Sequence, residues 1–202
     1  MKLVIMTQPT FFVEEDKILT ALFEEGLDNL HLYKPGASPM FSERLLSLLP
    51  DIYYSKITVH EHYYLKNEYG LAGIHIDDET KEPPKDYRGK ISRTCADIAD
   101  LAVMKKKAEN VFLEKTFGSG GNSGQGARYT TEQLEYAARQ GLIDKHVYAS
   151  GGINIESIKA AKDFGFGGVV VCEDLWDKFD IYNELDYKDL ISHFDKLKKA
   201  VP

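Results

Sequence analysis

Short apolar runs alternate with longer amphipathic stretches along the whole chain. Lys2 to Thr7 (KLVIMT) has the pattern of a buried strand, and Ile18, Leu19, Leu22 and Phe23 then recur at helical spacing between Glu15 and Glu25, before Gly26. The alternation continues. A second strand is predicted over Asp28 to Tyr33, followed by a helix capped by Ser38, with Phe41, Leu45, Leu48 and Leu49 on its apolar face and Pro50 at its end. A third strand covers Lys56 to His60, a short helix covers Glu61 to Tyr69 and a fourth strand covers Gly73 to Ile76. Asp77 to Arg88 holds adjacent prolines and no apolar face, so it reads as a loop. A fifth strand is expected over Gly89 to Ser92. A helix opening at Thr94 or Ala96 and bearing Ile98, Leu101, Ala102 and Met104 follows it, and then a sixth strand over Asn110 to Leu113.

The last third repeats the unit most clearly. Thr130 and Gln133 have capping-box spacing at the start of a helix that runs to Gln140 and stops at Gly141. Val147 to Ser150 is a strand, Asn154 caps a helix with Ile155, Ile158 and Ala161 on one face, and glycines 165, 167 and 168 precede the run VVVC. A final amphipathic helix lies near Tyr187 to Lys199. Eight strands separated by helical stretches predict a small single-domain (β/α)8 TIM barrel over residues 1–202, an α/β fold. The alternative, a doubly wound open sheet, usually carries fewer units at this length, and the first turn, QPTFF, lacks a G-x-G-x-x-G fingerprint.

Composition narrows the function. With 43% hydrophobic residues in 202, the chain can bury one sizeable core. A formal charge of −7 and a single basic run, Lys105 to Lys107, argue against nucleic acid as a partner, and no segment approaches a membrane span. The N-terminus has no cleavage pattern, so a cytoplasmic protein is expected. Cys95 and Cys172 form no CxxC pair and read as buried thiols.

In a barrel, chemistry collects at the C-terminal ends of the strands. His31, Tyr33, Lys34, His60, Glu61, His75, Asp77, Asp78, Glu79, Ser92 to Cys95 and Glu114 to Thr116 fall there. Glu61 and the acids Asp77 to Glu79 could share a Mg²⁺, which takes carboxylate, water and phosphate oxygens; a solvated acidic turn is the other reading of the three acids. Lys34, before the rigid Pro35-Gly36 turn, is either a phosphate-facing ammonium or a surface lysine. The histidines show no H-E-x-x-H spacing, and zinc is not expected. Gly151-Gly152 lies between a strand and a helix N-terminus, where its N–H groups suit a phosphate or only allow a tight turn. Gly118 to Gly126 is either an anion-wrapping lid or a linker.

The order of these pieces resembles the thiamine phosphate synthase and TenI-like family along most of the chain. LDNLHLYKPG is similar to its second-strand segment, ITVHEHYYLKNEYGLAGIHI to its third and fourth strands, GKISRTCADIADL to V-S-x-H-S, NVFLEKTFGSG to the sixth strand, and ASGGINIESIKAAKDFGFGGVVVCEDLW to A-x-G-G-I followed by A-G-A-D-G-V-A-V. The resemblance implies a Mg²⁺-dependent transferase that joins hydroxymethylpyrimidine diphosphate to thiazole phosphate, releases diphosphate and forms a homodimer. It implies Lys34 and Thr94 as catalytic residues and Glu61, Asp78 and Glu79 as metal ligands. Substrate or phosphate contacts fall on His31, Tyr33, His60, His75, Ser119, Gly121, Asn122, Gly151, Gly152, Cys172 and Glu173. The chain departs from the family pattern at several of these. Tyr33 replaces an Arg, His60-Glu61 an Asn-Asp pair, and Thr80 an Asp, while Ser119, Gly121 and Asn122 stand in a Thr-x-Thr-Lys segment. Glu173 occupies the place of a small phosphate-receiving residue, and Ala96 that of the tautomerase His. Lys115, Arg93 and Arg128 are the cations expected to compensate. A catalytically degenerate precursor-binding barrel and a TenI-like thiazole tautomerase are the alternatives to the transferase.

Overall fold

A computed structural model of the chain describes residues 1–118, 126–180 and 186–202. Eight parallel strands close into a barrel in sequence order: β1 Lys2–Met6, β2 Leu30–Leu32, β3 Ile57–Val59, β4 Gly73–Ile76, β5 Lys90–Cys95, β6 Asn110–Leu113, β7 Val147–Ser150 and β8 Gly168–Val171. The barrel is the expected fold. β8 pairs back onto β1, Leu3 opposite Val169 and Ile5 opposite Val171, so no sheet edge is left open. The helices around it are α1 Glu15–Glu24, α2 Pro39–Leu48, α3 Leu65–Tyr69, α4 Leu101–Met104, α5 Thr131–Arg139, α6 Ile155–Asp163, α7 Glu173–Trp176 and α8 Lys188–Ala200.

The two faces of each strand carry different work. Outward residues such as Ile5, Leu30, Leu32, Ile57, Val59, Ile74, Ile76, Val111, Leu113, Val147, Val169 and Val171 are buried against the helices and form the main core. Inside the barrel, Val4, Phe112, Tyr148 and Val170 form a separate cluster with Met6 packed on it. Period-two alternation in the strands therefore separates a packing face from a face available for chemistry.

Several helix faces differ from expectation. In α2, Leu45 and Leu46 face the core while Phe41 and Leu48 are exposed, and Ser38 makes no side-chain cap. The helix register is set by Pro39 at its first turn rather than by a cap. Ile155 is also exposed, whereas Ile158 and Ala161 are buried. The helix expected from Glu61 begins only at Leu65, because His62 has φ 54 and breaks helical geometry. β5 runs on to Cys95, so Thr94 is a strand residue and does not open a helix. Both capping boxes are formed, Thr130 with Gln133 and Asn154 with Ser157. Among the described residues no helix is long and apolar enough to cross a membrane.

Candidate active site

The polar interior lies on β2 to β5. His31 on β2 and His75 on β4 follow outward-facing apolar residues, and His60 follows Val59 just past the end of β3, so all three imidazoles enter the barrel. His31 Nδ1 is 2.9 Å from His60 Nε2, and His60 Nδ1 is 3.0 Å from both carboxylate oxygens of Asp77. His75 Nδ1 meets Ser92 Oγ and its Nε2 meets Thr94 Oγ1, each at 2.8 Å. The rings of His60 and His75 stack 4.2 Å apart, and Phe112 closes the group from below, 4.9 Å from His31 and 4.6 Å from His75. Burial, reinforced by the neighbouring imidazoles, holds His31 and His75 well below the usual histidine range, so both are neutral at pH 7.

Above the imidazoles, acids gather at the mouth. Asp77 is partly exposed, and Tyr33 lies against His60 with ring centroids 5.2 Å apart. Burial raises the Tyr33 phenol, and the charges of Asp77, Glu61 and Glu114 raise it further. Glu61 accepts a hydrogen bond from the Lys34 backbone N–H at 3.1 Å; its carboxyl is raised by burial, with repulsion from Asp77 adding to that. Glu114 is raised by burial as well, with Asp77 and Glu79 adding repulsion. A hard divalent cation at such a mouth would relieve the repulsion among these acids and offset the cost of burying their charge. Among the described residues these acids do not form a group of three or more whose oxygens converge on one ion position.

The structure does not bring together the three carboxylates assigned to that ion. Asp78 turns into solvent and accepts from the Thr80 N–H and hydroxyl at 2.9 and 2.7 Å, while Glu79 accepts from the Ala96 N–H just past the end of β5. Both stabilise loops. Asp77, the first acid of the three, is the one directed inward.

Lys34 is corrected too. It is neither a surface lysine nor a free phosphate-facing ammonium, for it is only 1% exposed and donates to Glu15 Oε1 at 2.6 Å and to the Thr10 carbonyl at 2.9 Å. Its ammonium also sits 4.5 Å over the Phe11 ring. Burial pushes Glu15 up to about 7 and pulls Lys34 down, since the loss of hydration outweighs the attraction between them. Among the described residues Glu15 Oε2 has no hydrogen-bond partner.

On the opposite side, Gly151 and Gly152 have φ of 88° and 66°. A Cβ on Gly151 would come within 2.9 Å of the Lys115 backbone, and one on Gly152 within 2.7 Å of the Gly118 carbonyl oxygen. Close packing thus accounts for both glycines. Phe117 N–H donates to the Gly151 carbonyl at 3.1 Å, which ties the two loops together. The same turn lines an open crevice of about 620 Å³ with Tyr33, Lys115, Asn154, Cys172 and Glu173. Among the described residues, the N–H groups of Gly152 and Ile153 donate to no protein acceptor, so they remain available to an anion.

The other assigned residues divide. Cys172 is partly exposed in the crevice, and burial pushes its thiol up to about 12, so it presents a neutral S–H. Glu173 is exposed at the crevice rim, with no cation bound to it among the described residues. Arg93 does not compensate it: this side chain points outward from β5 beneath the β4–β5 loop, bound to the Lys81 carbonyl at 2.9 Å and to Glu82 at 3.5 Å. Arg128 is held by Asp97 at 3.3 Å. Lys115 alone of the three lines the crevice. Ser119, Gly121 and Asn122, with most of the glycine-rich loop, lie outside the described residues.

Neither a protein-family model nor a curated protein matches the chain. Solved structures do. A thiamine phosphate pyrophosphorylase from Bacteroides thetaiotaomicron is 47% identical, with 99% of this chain and 97% of that one covered and a TM-score of 0.89. A thiamine phosphate pyrophosphorylase from Pyrococcus furiosus is 18% identical over 99% of this chain and 95% of its own, with a TM-score of 0.72, and a 3-hexulose-6-phosphate synthase is 14% identical over both full chains, at 0.63; these two share the fold. With nearly half of its residues shared over almost its whole length, the chain belongs to the TenI-like thiamine phosphate pyrophosphorylase family.

Proposed function

We propose that this barrel is a transferase of the thiamine phosphate synthase type, joining hydroxymethylpyrimidine diphosphate to thiazole phosphate with release of diphosphate. The observation that carries the reading is the 47% identity, over 99% of the chain, to the Bacteroides thetaiotaomicron thiamine phosphate pyrophosphorylase. The site accords with it. The free N–H groups at Gly152 and Ile153, beside Lys115, suit the thiazole phosphate. Glu61 and Asp77 would hold Mg²⁺ at the mouth, and the ion would supply positive charge for a leaving diphosphate. Tyr33, between the crevice and the acids, would pack against the pyrimidine and keep water from the reacting methylene. Thr94, hydrogen-bonded to His75, would position that imidazole rather than touch the substrate.

The test is to incubate the purified protein with both phosphorylated precursors and Mg²⁺ and follow thiamine phosphate and diphosphate. Glu61→Gln should reduce turnover at least about tenfold and raise the Mg²⁺ concentration needed for half activity. Unchanged Mg²⁺ dependence would remove Glu61 from the metal site. A second reading, a precursor-binding barrel without turnover, draws on the engagement of Lys34 by Glu15, which leaves that ammonium unavailable to diphosphate. Binding of thiazole phosphate without product would select it.

A further inference from the structure

We propose that His31, His60 and His75 form a second metal site, for a borderline divalent transition ion such as Zn²⁺ or Co²⁺, beneath the carboxylate mouth and distinct from any Mg²⁺ there. One nitrogen from each imidazole lies within 4.8 Å of the others, and all three side chains are buried. Among the described residues this is the group of His, Cys, Asp or Glu side chains whose ligand atoms converge. Imidazole nitrogen is a poor donor to Mg²⁺ and a good one to zinc-like ions.

Nitrogens about 2.0–2.1 Å from a tetrahedral ion lie about 3.4 Å apart, so the 2.9 Å between His31 Nδ1 and His60 Nε2 must open by about half an ångström, and the group's spread of up to 4.8 Å must close by about 1.4 Å, within reach of side-chain rotation. The outer partners suit a metal as well. His60 directs Nδ1 at the Asp77 carboxylate, which fixes that proton and leaves the Nε2 lone pair facing inward; a carboxylate behind a ligating histidine is the usual support. His75 is held at both nitrogens, Nδ1 by Ser92 Oγ and Nε2 by Thr94 Oγ1, each at 2.8 Å, so an ion taken at Nε2, 3.6 Å from Asp77 Oδ1, must displace the Thr94 hydroxyl. Neutral His31 carries one proton, which the ion displaces from Nδ1 to Nε2. This ring also lines the cavity of about 470 Å³ at the opposite end of the barrel, where the transferred proton can meet water.

The three ligands leave a fourth position toward the mouth, next to Asp77 and Tyr33. A water or a substrate oxygen would complete the coordination there.

The inference is independent of the transferase reading, because its test uses the metal alone. Protein dialysed against a chelator is titrated with Co²⁺, followed by visible ligand-field absorption, and with Zn²⁺, followed by calorimetry and thermal melting. One ion per chain and a rise in melting temperature are expected. His60→Gln and His75→Gln should each weaken binding at least about hundredfold, and Asp77→Asn about ten- to hundredfold, while Glu61→Gln leaves Co²⁺ affinity unchanged. Should the histidine variants fail to fold by circular dichroism, Asp77→Asn carries the test, since that side chain is 43% exposed. Dissociation constants above about 1 mM for wild type, or wild-type affinity in folded His60→Gln or in Asp77→Asn, would overturn the site.

Discussion

The two halves of the barrel interior share a backbone and differ in almost everything else. β2 to β5 send in His31, Thr58, His60, His75, Ser92 and Thr94, whereas β1 and β6 to β8 send in Val4, Met6, Phe112, Tyr148 and Val170. Each buried imidazole on the first half is tied to another side chain, as a dry interior demands, because an unmet polar group there costs about 1–3 kcal/mol. The second half is a wall. At its rim lies the Gly151-Gly152 turn, where the N–H groups of Gly152 and Ile153 meet no acceptor among the described residues. One side of the mouth is thus lined by polar side chains and the other by an exposed stretch of backbone.

If the apolar half holds the imidazoles in place, removing its central ring should be the most damaging change. Phe112 touches both His31 and His75 and stacks on Tyr148 at 5.7 Å. Phe112→Ala should cost about 3–5 kcal/mol in urea denaturation and broaden the imidazole NMR resonances. A loss below about 1 kcal/mol would mean that the polar half is rigid on its own and that the comparison is wrong.

The Glu15–Lys34 pair sharpens the contrast from the polar side, as a buried charge pair anchored where β2 ends. Its pH dependence has a definite sign. In the folded state Glu15 titrates near 7 rather than near its usual 4.5, so between those values the folded chain holds a proton that the unfolded chain has lost. Stability therefore falls as pH rises from about 4.5 to about 7, by roughly 1–3 kcal/mol, and is greatest at the acid end of that window. Denaturation at pH 5 and pH 8 should show the fall in wild type, and Glu15→Gln should flatten it. A rise across the same window would show that attraction to Lys34 outweighs burial.

The strands were legible because their outward faces are nearly continuous Val, Ile and Leu, a pattern that β4, β6 and β7 reproduce to the residue. Local backbone was not. Nothing in EHYYLKNEY announces the positive φ at His62 that delays α3, and the extra length of β5, which carries Thr94 inside, is fixed by pairing with β6. The site was legible as a set of strand ends and illegible as a set of contacts. Asp77, Asp78 and Glu79 are equivalent in sequence, and chain direction after β4 decides that only the first points inward. Likewise, the engagement of Lys34 depends on Glu15 in another element. The histidine cluster follows from the register of three strands and matches no local spacing motif.

The smallest expected effect tests the backbone site. Glu173 stands at the rim of the crevice that holds the free N–H groups, and a carboxylate about 4 Å from a phosphate would oppose it by ~4 kcal/mol per charge pair at an effective dielectric of about 20. The side chain is exposed, however, so water-like screening applies and the penalty falls to about 1 kcal/mol. Lys115 on the same crevice offsets part of that. Glu173→Ser should therefore tighten thiazole phosphate binding by no more than about fivefold at low salt, and the gain should vanish near 0.5 M salt. Calorimetric titration of both proteins at the two ionic strengths measures this. A gain of tenfold or more that survives high salt would place Glu173 directly against the phosphate position and favour a ligand without phosphate. Equal affinities at both salts would show that the rim carboxylate lies outside the field of the site, leaving the backbone N–H groups and Lys115 to set phosphate affinity.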